Sequence, residues 1–194
     1  MTCGLILAAG ESRRMGSPKA LLEFQGESFL DRLIGLFSRR CAPVIVVLGA
    51  ECETVRAGLR RLSQALIVEN PDFLHGQLSS MQCGLRAAPA GSDGVLFTLV
   101  DHPAVRSATI DALLDSSSAG PLRIPRFGGR RGHPIWIRKP LAPEFLALPA
   151  GSSARDVITR HEREIAYVDV EDPGILADID DPGAYARLIA GSRP

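Results

Sequence analysis

An apolar segment, Leu5-Ile6-Leu7-Ala8-Ala9, breaks at Gly10 into a loop that carries Arg13, Arg14, Gly16 and Lys19. Small residues let backbone N–H groups approach phosphate oxygens, and cationic side chains can close over them. The loop runs on into Ala20-Leu21-Leu22-Glu23-Phe24, so it is anchored at both ends. Polyphosphate binding is the chemistry such a segment supports. The spacing is not that of a Walker loop, in which Lys-Ser/Thr directly follows the second glycine, because Lys19 comes after Gly16-Ser17-Pro18. Nor does it match the G-x-G-x-x-G fingerprint of dinucleotide sites.

Other groups could do chemistry beside it. Asp101 stands in Leu99-Val100-Asp101-His102-Pro103, at the end of an apolar run and two residues before a proline. A carboxylate so placed suits a hard cation such as Mg2+, which takes few protein oxygens. The same aspartate could instead cap a turn. Gly76-Gln77-Leu78-Ser79-Ser80 sets a glycine and two serines at a helix start, offering N–H and hydroxyl donors to a base or ribose. Arg130-Arg131-Gly132-His133-Pro134 supplies planar donor forks, a glycine that lets backbone come close, and a histidine able to donate to phosphate. The acidic run Asp178-Ile179-Asp180-Asp181 precedes Pro182, where it could also cap a last helix. His75 and His161 read as structural, and Trp136 as core.

The elements that must position these groups alternate along the chain. Buried strands are expected over 4–9, 44–48, 66–68 and 94–100. Helices are expected over 28–39, 52–62, 77–88 and 107–114, with Ser107 capping the last. Short strands at 122–125 and 133–137 flank Gly128-Gly129 as a hairpin, followed by a helix at 153–160, a strand at 165–170 and a helix at 182–189. Strands apolar throughout, alternating with helices, imply an α/β fold with a mostly parallel sheet covered on both faces. Ligands in such sheets gather beyond the carboxyl ends of strands, so Gly10 and Asp101 are expected to face one cleft.

The 194 residues are expected to form one domain, 1–194. Formal net charge is zero, which leaves no global field to draw nucleic acid or an anionic membrane. Basic residues do cluster, at 13–19 and again over 123–139, a pattern suited to a small polyanion. The four cysteines show no C-x-x-C spacing, so no disulfide framework is expected; Cys3, Cys41 and Cys83 read as core thiols. No apolar stretch approaches a membrane span, and a cytoplasmic location is expected.

Residues 7–19 resemble the signature L-A-A/G-G-x-x-x-R-M-G-x-x-K of nucleotidyltransferases that build activated nucleotides, through Leu7, Ala8, Ala9, Gly10, Arg14, Met15, Gly16 and Lys19. Asp101-His102-Pro103 resembles their D-x-P metal motif, with His102 where glutamine is commoner. Asn70-Pro71, Gly76 and Ser79-Ser80 resemble the N-P-x-x-x-x-G-x-x-S-S stretch of molybdenum cofactor cytidylyltransferases and their close relatives. Gly132-His133-Pro134 matches a recurring R-G-H-P element, and Asp178-Ile179-Asp180 the D-I-D/N-T-P segment, with Asp181 replacing threonine. In this order the elements span essentially the whole chain, which resembles the molybdenum cofactor nucleotidyltransferase family.

That resemblance implies a Rossmann-like three-layer αβα sandwich and a Mg2+-dependent transfer of CMP from CTP to the phosphate of molybdopterin, with release of diphosphate. Arg14, Lys19 and Asp101 would be catalytic. Leu7, Ala8, Ala9, Gly10, Gly16, Gly76, Ser79 and Ser80 would seat the nucleotide with Arg14 and Lys19. Arg131, Gly132 and His133 would face the acceptor, and Asp101 with Asp180 would hold the metal. A molybdoenzyme is the downstream partner this role implies. The methyl of Ala9, where guanylyl-transferring members carry glycine, leaves less room for a base and favours a pyrimidine. Relatives acting on other acceptors share L-A-A-G, so GTP, or a sugar or alcohol phosphate acceptor, stays open. So does a non-catalytic accessory protein that binds molybdopterin or a nucleotide, although intact Arg14, Lys19 and Asp101 count against it.

Overall fold

A computed structural model describes residues 1–191. Its strands are β1 (Thr2–Ala8), β2 (Glu23–Phe24), β3 (Glu27–Ser28), β4 (Val44–Leu48), β5 (Leu66–Glu69), β6 (Gly94–Leu99), β7 (Leu122–Phe127), β8 (Arg130–Arg131), β9 (Ile135–Arg138) and β10 (Ile165–Asp169). Its α-helices are α1 (Phe29–Phe37), α2 (Cys52–Gly58), α3 (Gln77–Ala87), α4 (Ser107–Asp115), α5 (Ala142–Leu146), α6 (Ala154–Arg160) and α7 (Pro182–Ala190). The main sheet has the order β10-β7-β9-β6-β1-β4-β5, with β8 paired to β7. Along that path β9 alone is reversed, antiparallel to both β6 and β7. The other neighbours, β1 with β4 and β6, β4 with β5, and β7 with β10, are parallel.

The period of two in β1 divides the core. Cys3, Leu5, Leu7 and Ala9 pack on one face with Met81, Leu85 and Phe145. Ile6 and Ala8 pack on the other with Phe29, Leu30 and Leu33. A strand must be apolar throughout to be covered this way, which is why the sandwich expected from the alternating pattern is the one formed.

The local departures have tertiary causes. The helix expected over 52–62 stops at Gly58, because Leu59 turns extended and the amides of Arg60 and Arg61 bond the buried Asp31 carboxylate at 3.1 and 2.8 Å. Ser107 does not cap α4. The buried Asp172 carboxylate does, accepting from the Arg106 amide at 2.9 Å and the Thr109 hydroxyl at 2.6 Å. A small β2–β3 hairpin turns at Gln25-Gly26, with φ of 54° and 83°. The hairpin expected at Gly128-Gly129 forms between β7 and β8.

The basic stretch over 123–139 largely dissolves into structure. Arg123 lies 4.2 Å over the Trp136 ring, Arg126 pairs with Asp169 at 2.7 Å, and Lys139 donates to the Ala88 carbonyl at 3.3 Å. All four cysteines are free thiols; burial pushes Cys3 up to about 11 and Cys41 up to about 12. Cys83, expected in the core, is only half-buried, whereas Cys52 is buried. Among the described residues no helix is long and apolar enough to cross a membrane.

Candidate active site

The chain leaves β1 toward β4 and β5 on one side and returns to place β6 on the other, so strand order reverses between β1 and β6. Crevices open at such a point, beyond the carboxyl ends of the strands. Leu7 pairs with Leu99, and the Val100 amide donates to the Leu7 carbonyl at 3.0 Å, which sets the loop after β1 beside Asp101. The result is a cleft of about 450 Å³ lined by residues that include Leu7, Ala8, Ala9, Gly10, Arg14, Lys19, Gly76, Ser80, Asp101 and Asp180.

Ser12 shapes the loop. Its φ is 51°, its carbonyl receives the Met15 amide at 2.8 Å, and its hydroxyl receives the Lys19 amide at 2.9 Å. Gly16, at φ 69°, serves this turn and does not line the cleft. A left-handed turn position favours glycine because it has no Cβ. Here its visible part is conformational.

Charge concentrates where the loop meets Asp101. The Lys19 ammonium, 13% exposed, bonds Asp180 and lies 3.8 Å from Asp101 Oδ2. Arg14 Nη2 lies 3.6 Å from Asp180 Oδ2. The Ile179 amide donates to the Asp101 carbonyl at 3.0 Å, which brings Asp178 and Asp180, on either side of it, to the same place. Burial, with Asp178 and Asp180 nearby, pushes Asp101 up to about 7 against the opposing pull of Lys19. Burial and Asp180 push Asp178 up, while the hydrogen bond from Lys19 holds Asp180 below its ordinary value.

On its other side Asp101 faces His102. Its Oδ1 is buried without a hydrogen-bond partner, and His102 Nε2 stands 3.6 Å away. The His102 ring stacks on His133 at 4.7 Å, and His133 meets Phe97 edge-on at 5.5 Å. Burial pushes His102 down to about 3 and His133 down to about 4, so both rings are neutral near pH 7. One donor atom each from Asp101, His102 and Asp178 lie within 4.8 Å of one another. An orphaned buried carboxylate oxygen among oxygen and nitrogen donors fits a divalent cation.

The other expected site residues are placed as follows. Ser79 does not line the cleft: its hydroxyl donates to the Asp72 and Gly76 carbonyls at 2.9 and 2.8 Å, clamping the start of α3. Ser80 does line it, with its hydroxyl accepting from Asn70 Nδ2 at 3.0 Å. Arg131, Gly132 and His133 lie outside the cleft, Arg131 exposed on β8. Gly132 is a packing glycine, since a Cβ there would stand 2.2 Å from the Ile175 carbonyl oxygen. Sequence reasoning passed over Asp178, although its period-two relation to Asp180 in an extended run was the available signal. It also passed over Ala50 and Glu51, which line the cleft after β4.

The profile of the MobA-like NTP transferase domain matches residues 4–165. The molybdenum cofactor cytidylyltransferase of Escherichia coli is 26% identical over 181 residues, covering 93% of this chain and 92% of its own. A probable molybdenum cofactor guanylyltransferase of Mycobacterium ulcerans is 33% identical over 203 residues, covering 98% and 93%. A nucleotidyl transferase structure from Methanothermobacter thermautotroptrophicus superposes with a TM-score of 0.84 at 24% identity, over 98% of this chain and 97% of that one. Rv0371C of Mycobacterium tuberculosis, in complex with manganese, gives 0.79 at 24% identity over 97% and 98%.

Proposed function

Because this chain belongs to the MobA-like NTP transferase domain family and is a nucleotidyltransferase, we propose that it moves CMP from CTP to the terminal phosphate of molybdopterin, releasing diphosphate. The observation that carries this reading is the meeting of Lys19 with Asp101 at 3.8 Å, at the head of a cleft that Arg14 and the β1 loop also line. A triphosphate needs cations, and Arg14 and Lys19 line the cleft. Arg14 and Lys19 grip the β- and γ-phosphates and stabilise the departing diphosphate. An acceptor phosphate oxygen attacks the α-phosphorus, the bond to the β-phosphate oxygen breaks, and no covalent enzyme intermediate is required. Positioning and charge neutralisation supply the acceleration.

Asp101 and Asp180 would hold Mg2+, which when bound neutralises charge developing at phosphorus. The manganese complex of the Mycobacterium tuberculosis neighbour supports a divalent ion here. Ala9, lining the cleft, favours the smaller base, in line with the name of the Escherichia coli relative. The exposed Arg131 is the group left to meet an acceptor, and a molybdoenzyme would take up the product.

Diphosphate release, scored with CTP and with GTP, each with molybdopterin, with a sugar phosphate or alone, tests the assignment. Release is expected with CTP and molybdopterin together. A preference for GTP would overturn the nucleotide assignment, and equal rates with a sugar phosphate would overturn the acceptor. Asp101→Ala should lower turnover by about 10²–10³-fold with an unchanged circular dichroism spectrum. Near-normal activity in that variant would remove the carboxylate from the mechanism.

A further inference from the structure

We propose that Asp101, His102 and Asp178 form a mixed oxygen–nitrogen site for a divalent transition ion, and that His102 makes the site prefer Mn2+ to Mg2+. The inference deepens the metal-dependent reading above and rests on it. It assigns to His102, and to Asp178 rather than Asp180 alone, a ligand role.

Four observations converge. First, one donor atom from each residue lies within 4.8 Å of the other two. Second, His102 is 6% exposed, and its Nε2 faces Asp101 Oδ1 across 3.6 Å with no hydrogen bond between them. Asp101 Oδ1 has no hydrogen-bond partner at all. Buried polar atoms are normally satisfied, so the orphaned Oδ1 beside that ring nitrogen asks for a further partner. Donors each ~2.1 Å from one ion stand about 3–4 Å apart, so the gap has the width of a shared ligand sphere. Third, Lys19 occupies the Oδ2 side of the same carboxylate, which leaves Oδ1 free to serve the histidine side. Fourth, the parts are fixed. His133 stacks on the His102 ring, and the Ile179 amide ties the Asp178 segment to the Asp101 carbonyl.

The donor set decides the class of ion. Mg2+ demands oxygen ligands and keeps its waters, whereas imidazole suits first-row transition ions. A ring nitrogen beside two carboxylates therefore favours the latter. Asp178 is exposed, so the open side of the site can take water or an acceptor oxygen.

The test uses the full chain without nucleotide, Mn2+ as the probe and Mg2+ as competitor. Electron paramagnetic resonance should show one tight Mn2+ site, bound at least tenfold more tightly than Mg2+. Spin-echo envelope modulation of that ion should carry a ¹⁴N coupling from directly bound imidazole. His102→Gln should abolish the coupling and weaken Mn2+ by about 10–100-fold while changing Mg2+ affinity little. Asp178→Asn should weaken both ions. Bound Mn2+ without ¹⁴N coupling in the unsubstituted protein overturns the proposal whatever the variants do. An unchanged Mn2+/Mg2+ ratio in His102→Gln overturns it too. A ¹⁴N-coupled site in a chain that releases no diphosphate with any nucleotide would uphold the site and remove the transferase reading. Release with Mg2+ in a chain lacking the coupling would do the reverse.

Discussion

Asp101→Asn should make the metal-free protein more stable at pH 8 while costing it activity. The Asp101 carboxyl is pushed up to about 7, chiefly by burial and then by the neighbouring carboxylates, against 3.8 for an ordinary aspartate. The folded protein therefore keeps this proton over a range in which the unfolded chain has released it. Below pH 3.8 the group does not affect stability. As pH rises toward 7 stability falls, and above that it stays low, because the folded state must then hold an ionised carboxylate it disfavours. About three pH units at 1.36 kcal/mol each sets the penalty near 4 kcal/mol. The side chain is 18% exposed, and water screens part of the charge. About 2–4 kcal/mol is therefore expected at pH 8, a rise in Tm of about 5–10 °C.

Asparagine has the same shape and no charge at any of these pH values. Urea unfolding in chelator, from pH 4.5 to pH 8.5, should show both proteins with one m-value and a midpoint gap that widens with pH. The difference should be about 1 kcal/mol at pH 4.5 and reach its full value by pH 8. A gap that does not grow with pH, or a variant less stable at pH 8, would refute the account of Asp101 as a carboxylate held at a cost. A divalent ion should raise the midpoint of the unsubstituted protein at pH 8 and leave that of Asp101→Asn nearly unmoved.

The R-G-H-P segment separates two roles. Gly132→Ala should lose about 2–4 kcal/mol in a urea melt, since its Cβ would strike the Ile175 carbonyl at 2.2 Å. Arg131→Ala, at an exposed position, should change stability by less than about 0.5 kcal/mol yet raise the acceptor KM; an unchanged KM would take Arg131 out of acceptor binding. Asp172→Ala should lower stability by about 2–4 kcal/mol, because it strands the Arg106 amide, the Thr109 hydroxyl and the Gly174 amide at once. A loss no larger than that of a surface substitution would show that water replaces this cap.

Residues that act through their own neighbours in sequence were legible. β1, β4 and β6 announce themselves because a strand covered on both faces is apolar at every position, and Gly10 and Asp101 follow two of them. Once those strands are known to be parallel neighbours, Lys19 and Asp101 must look into one crevice, and they do at 3.8 Å. What the pattern could not reveal depends on distant segments. Asp31 ends α2 from 30 residues away, and Asp172 caps α4 from 63 residues away. No periodicity encodes a carboxylate arriving from another part of the chain. A serine at a helix start looks the same in sequence whether it meets a ligand or, as the Ser79 hydroxyl does here, closes its own turn.

The carboxylates near Asp101 show how this gap bears on function. The resemblance gives Asp180 a metal role, yet in the sequence the acidic run could equally cap a helix; the Ile179 amide bonded to the Asp101 carbonyl is what places both Asp178 and Asp180 beside Asp101. That single backbone bond brings two further carboxylates to Asp101, where Lys19 and Arg14 are the cations paired with them among the described residues. Three acids facing two bases crowd like charge, and without a cation Asp101 answers by keeping its proton up to about pH 7, with its Oδ1 buried and without a hydrogen-bond partner. Lys19 cannot relieve it, since it sits on the other oxygen and already serves Asp180. Once that proton is gone, the group that can relieve the crowding is a cation from outside the chain. Burial then determines what the cation finds: a neutral imidazole within 3.6 Å of the orphaned oxygen, held in place by a second ring. The demand for an ion is thus created by folding, and its preferred kind by the histidine that this chain carries after Asp101.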